Sequence, residues 1–78
     1  MNTPEPGRDA ASFEVLGILA GGDRLTSGLV AASGRTTRAV RNVLHVLGRQ
    51  RKVAQSGTMW RITVLGLVLL ASYRRGAS

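Results

Sequence analysis

Apolar residues recur at three- and four-residue steps over Val40, Val43, Leu44 and Leu47, the period of an amphipathic helix. The opposite face of that stretch carries Arg38, Arg41, Asn42, His45 and Arg49. Thr36 or Thr37 is the expected N-cap, and the helix is expected to run to about Gln50. Upstream, Ala10 to Ala20 shows the same spacing at Phe13, Leu16 and then Leu19 or Ala20. Asp9 or a neighbour would cap this first helix, with Glu14 near its start, where the helix dipole favours an acid. Gly21, Gly22 and Asp23 stop it, and Arg24 to Thr26 reads as a short extended piece with Leu25 turned inward. Thr26 or Ser27 would cap a second, short helix reaching Ser33, which buries Leu29, Val30 and Ala32 and ends at Gly34.

Beyond Gln50 the period changes. Lys52–Gln55 and Thr58–Ile62 are strand-like runs on either side of Ser56-Gly57, a two-residue hairpin turn. Thr63 then caps a last helix, Val64 to about Tyr73, with Arg74 and Arg75 near the end where positive charge is favourable. Two helices joined through a glycine turn, the second apolar inside and basic outside, describe a helix-turn-helix. The expected fold class is mainly α with a small β-hairpin. The chain divides into a disordered lead over residues 1–8, one folded domain over 9–73 and a basic tail over 74–78.

Charge sharpens this picture. All four acids, Glu5, Asp9, Glu14 and Asp23, fall in the first 23 residues, where Arg8 is the one base; residues 24–78 hold ten Lys and Arg and no acid. A surface of one sign repels itself, so the asymmetry points to a polyanionic partner, with nucleic acid ahead of an anionic membrane. The plain alternative is a solvated basic face. Without cysteine, and with His45 as the single histidine, the chain lacks the groups for disulfides, a zinc site or acid–base catalysis, and no cofactor is implied. The N-terminus has no signal-peptide pattern, and the longest apolar run, Val64 to Ala71, is far short of the roughly 20 residues that span a bilayer. A cytoplasmic location is the expectation.

The order of elements resembles the winged helix-turn-helix family of small bacterial and phage DNA-binding regulators. The resemblance rests on Leu25-Thr26, on Leu29-Val30-Ala31-Ala32-Ser33-Gly34, on Thr36-Thr37-Arg38-Ala39-Val40-Arg41-Asn42-Val43-Leu44 with Leu47 and Val53 after it, and on Trp60-Arg61-Ile62-Thr63 with Gly66. It covers roughly residues 13–70. Two positions depart from the family's habit: Gly28 stands where members commonly carry Glu, and Arg51 or Lys52 where a glycine precedes the first wing strand.

The resemblance implies a three-helix core, a two-stranded wing and a C-terminal helix, acting as a sequence-specific regulator on double-stranded DNA, with no small-molecule substrate. It would place the third helix in the major groove, Arg38, Arg41, Asn42 and His45 facing base edges. Thr26, Arg35, Thr36, Thr37, Arg49, Arg51, Lys52 and Arg61 would meet phosphates. Each of these residues has a duller reading, as a solvated face residue or, for the threonines, a cap. Trp60 reads as a hairpin-packing residue rather than a stacking platform.

The last helix is apolar almost all round. One face should pack on Phe13 and Leu16, leaving Leu65, Leu67, Val68 and Leu69 either to a homodimer or to burial within a monomer. This feature supports a second function class, a structural or protein-interaction module; a winged helix that binds RNA is a third.

Overall fold

The computed structural model describes the backbone of residues 6–77 and the side chains of residues 10–76. Residues 1–5 of the expected lead lie outside that description; residues 6–8, expected in the lead, and Asp9, expected as a cap, are instead inside the first helix. Four helices and one hairpin follow in the order α1 (Pro6–Ala20), α2 (Thr26–Ser33), α3 (Thr37–Arg49), β1 (Val53–Ser56), β2 (Met59–Ile62) and α4 (Val64–Ala77). The chain is therefore mainly helical with a two-stranded antiparallel sheet, in the order of a winged helix.

The boundaries differ from the periodic reading at both ends. Helix α1 already includes Pro6 and runs through Asp9, ahead of the expected start. Glu14 consequently sits in mid-helix rather than near the positive end, and its carboxylate instead meets the Arg35 Nε at 2.7 Å. At the other end α4 continues past Tyr73 through Arg74 and Arg75, which lie in its last turn. Nothing there breaks the helix, and the two cations suit the carbonyl end of its dipole.

Among the described residues, nine buried side chains form one contacting cluster. Val15, Leu16 and Leu19 come from α1, Leu29 from α2, Val40, Leu44 and Leu47 from α3, Val53 from β1 and Leu70 from α4. Phe13, Ile18, Val30, Val43, Trp60 and Ile62 pack around them. The α3 period thus buries the residues it was expected to bury, with Val43 half-covered at the edge. Helix α2 differs: Leu29 is its one buried side chain, Val30 is partly covered and Ala32 is exposed. At 3.6 residues per turn Leu29, Val30 and Ala32 fan out over roughly 160° of the helix, more than the face turned to the core. Leu25, expected inside, is 44 % exposed.

Capping follows the sequence at two places and departs from it at a third. Thr36 accepts from the Ala39 N–H at 3.1 Å, and Thr63 accepts from the Gly66 N–H at 3.1 Å while donating to the Arg51 carbonyl at 2.7 Å. At α2, by contrast, Leu25 is the N-cap and makes no side-chain cap; Thr26 is already inside the helix. Its hydroxyl is engaged elsewhere, accepting from the Trp60 indole N–H at 3.1 Å. Arg24 pairs with Trp60 through two backbone hydrogen bonds of 3.0 and 2.7 Å, an isolated antiparallel bridge that ties the start of α2 to β2. Gly34, at φ 70°, closes α2 in the left-handed conformation.

The hairpin register pairs Val53 with Ile62 and Ser56 with Met59. The two-residue turn is therefore Gly57-Thr58, one position later than expected, with Gly57 at φ 62° in the first central place. A glycine there supplies the positive φ that twist-matched hairpin turns need. Arg51, just before β1, adopts φ 61°, the sole non-glycine with positive φ among the described residues. Left-handed backbone costs an L-residue roughly 1–2 kcal/mol, partly offset here because glycine would gain more freedom when unfolded. Arg51→Gly is accordingly expected to stabilise the domain by about 0.5–1 kcal/mol. A thermal melt of the variant that is unchanged or lower would contradict this strain.

Candidate functional site

Helix α3 presents its polar face on one side of the domain, and Arg38, Arg41, Asn42, His45 and Arg49 are all exposed on it. The helix is aimed by its buried stripe, since Val40, Leu44 and Leu47 anchor it to α1 and α2. The face is not one uniform surface. Arg41 and His45, one turn apart, line a groove of about 270 Å³ together with Thr26, Leu44, Gln55 and Trp60. Asn42 lines a different hollow of about 320 Å³, beside Ser12, Val43 and Val46. Arg38 lines neither of them.

The remaining basic and hydroxyl residues are dispersed. Arg35 is held by Glu14, a surface ion pair of the kind that contributes about 0–1 kcal/mol. Thr36 is occupied as a cap and Thr37 opens α3, exposed. Arg51 and Arg61 are exposed at the hairpin's base and on β2, and Lys52 is half-buried with its carbonyl accepting from the Thr63 N–H at 3.0 Å. Sequence reading missed the Glu14–Arg35 pair and the Trp60–Thr26 bond, because their partners stand 21 and 34 residues apart.

A second surface of interest lies on α4. Its inner side is fixed by Leu70 in the core, by buried Gly66, and by Tyr73, whose ring stacks on Phe13 with centroids 3.8 Å apart and planes 8° from parallel. The expected docking of α4 on Phe13 is thus present, with Tyr73 as the contact. Its outer side leaves Val64, Leu65, Leu67 and Val68 exposed at 78, 46, 45 and 57 %. Leu69, expected to share that outer face, is half-buried instead. Among the described residues no group of acids, histidines or cysteines could hold a metal ion, and no helix is long and apolar enough to cross a membrane.

No family model matches this chain, and neither does any curated protein. Among solved structures it is similar to CalO1, a methyltransferase in calicheamicin biosynthesis, in its SAH-bound form. The likeness has a TM-score of 0.64 and 34 % identity, and covers 76 % of this chain but 18 % of CalO1. This chain therefore matches under one fifth of that protein's length. The finding overturns the DNA-binding regulator read from the sequence: the same helices and hairpin, at substantial identity, belong to a methyltransferase. A winged-helix frame positions side chains without dictating what they meet, and the motif positions behind the regulator reading are mostly core, cap and turn residues. Those residues specify the frame wherever it is used.

Proposed function

We propose that this chain is a non-catalytic association module of a methyltransferase-type protein, pairing with a second copy of itself through the outer face of α4. The carrying observation is the strip of Val64, Leu65, Leu67 and Val68, which the domain's own core leaves uncovered. The match to a small share of a methyltransferase supports an accessory role beside a catalytic unit. A second copy suits the strip on charge grounds. The chain carries a net charge of +7, yet no charged residue occurs from Val64 to Tyr73, so two copies can meet there without opposing cations at the centre. A two-fold contact would also place identical apolar residues opposite one another, which is self-complementary by symmetry.

A 14-residue helix is about 21 Å long, and one face of it falls well below the roughly 800 Å² per partner of a standard interface. Association in the micromolar range is the matching expectation. Sedimentation equilibrium should show a monomer–dimer equilibrium. Leu67→Glu, at a half-exposed site, should weaken it by at least about 100-fold, because burying two carboxylates at the contact costs several kcal/mol. A chain that stays monomeric at millimolar concentration would overturn the pairing, and a Leu67→Glu variant that still dimerises would move it to another face.

A further inference from the structure

The groove between α3 and the hairpin has no role in the pairing of α4, and its chemistry points elsewhere. It is lined on its apolar part by Leu44, fully buried, and by the half-buried Trp60. The indole N–H is already spent on Thr26, and the backbone of Trp60 is pinned to Arg24 on its outer edge, so the ring is held in place. Arg41 and His45 from α3 and Gln55 of β1 line it as well, all three exposed. Among the described residues the side chains of Arg41, His45 and Gln55 have no hydrogen-bond or ion-pair partner. No carboxylate lines the groove, and the nearby sequence from Arg24 onward contains none.

A fixed indole, an apolar leucine and a guanidinium without a partner among the described residues bring apolar and cationic groups together in one groove. Its volume, about 270 Å³, lies just below the range of about 300–1,000 Å³ typical of sites for drug-sized ligands, which limits it to a small molecule. We propose that this groove binds a small aromatic carboxylate. The ring would lie along Trp60 over Leu44, in the offset or edge-on contact that aromatic pairs prefer. The carboxylate would take two parallel hydrogen bonds from Arg41, whose planar fork matches it, with His45 and Gln55 as further donors. A phosphate without a ring meets the cationic groups alone, and a neutral aromatic the apolar groups alone.

The single tryptophan gives the test a clean reporter, because the protein has one indole N–H signal. In ¹H–¹⁵N spectra of the full chain, benzoate should shift that signal and the Gln55 and His45 amides along one saturable curve. Benzyl alcohol and inorganic phosphate at equal concentration should shift them little. Arg41→Gln, at an exposed position, should keep the dispersed spectrum and weaken benzoate by about tenfold or more, as expected when a charged hydrogen-bonding partner is lost. The proposal is overturned if benzoate causes no saturable shift, if Arg41→Gln binds it equally well, or if phosphate reproduces the same shifts.

Discussion

Replacing Gly66 with alanine is expected to lower the domain's stability by about 3 kcal/mol, a large effect for a single added methyl group. The reason is a close approach of backbone to backbone. A Cβ at Gly66 would collide with the Lys52 carbonyl oxygen and stand 2.8 Å from the Ile62 Cγ1 and 3.2 Å from the Lys52 carbonyl carbon. The oxygen cannot simply withdraw, because it accepts the Thr63 N–H at 3.0 Å where the hairpin hands over to α4. Moving α4 outward instead would loosen the Thr63 cap on the Gly66 N–H and draw Leu70 from the core. Alanine would return about 1 kcal/mol through its better helix propensity, which falls short of offsetting the collision. At roughly 4–8 °C per kcal/mol for a domain of this size, the thermal midpoint should fall by about 12–24 °C. An unchanged midpoint would mean that α4 does not cross the hairpin at this position.

Leu29→Ala should be nearly as damaging. Leu29 is fully buried and is the one buried residue of α2, so the docking of that helix rests on a single side chain. Truncating a buried leucine costs about 2–5 kcal/mol, the upper end applying where neighbours cannot close the cavity. Val40, Leu44 and Leu16 are held by their own helices and have little freedom to do so. A chain of 78 residues has roughly 4–12 kcal/mol of stability in all, so the variant should be substantially unfolded or close to it. Chemical denaturation should show the midpoint falling with an unchanged slope. A loss below about 1 kcal/mol would show that α2 is held by its Thr26–Trp60 and Arg24–Trp60 ties rather than by packing.

How much of this was legible beforehand depended on whether the signal was local. The period of α3, the Thr36 and Thr63 caps, the Gly34 stop and the existence of the hairpin all depend on residues within a few positions of one another, and each was readable. The hairpin turn shifted by one residue because Ser56-Gly57 and Gly57-Thr58 both offer a glycine, and strand register chose between them. The inward Leu25 failed because the tie of Arg24 to Trp60 sets the orientation there, a contact 36 residues apart in sequence. The candidate groove escaped notice because its lining comes from α2, α3, β1 and β2 and meets only in the fold.

The sequence by itself determined the class of the fold, because periodicity, caps and turn glycines act over one or two turns of chain. It also determined the acid-free stretch from Arg24 onward, a property of composition that no folding alters. Only the tertiary structure decided which cations are committed, pairing Arg35 with Glu14 while leaving Arg41, in the groove with Trp60, unpartnered among the described residues. It alone decided which side of the apolar α4 is covered, since Gly66 and Leu70 turn inward, Tyr73 stacks on Phe13 while staying half-exposed, and Val64, Leu65, Leu67 and Val68 are left to the outside. A helix that is apolar all round carries no internal instruction about its buried face; that choice belongs to the surface it packs against.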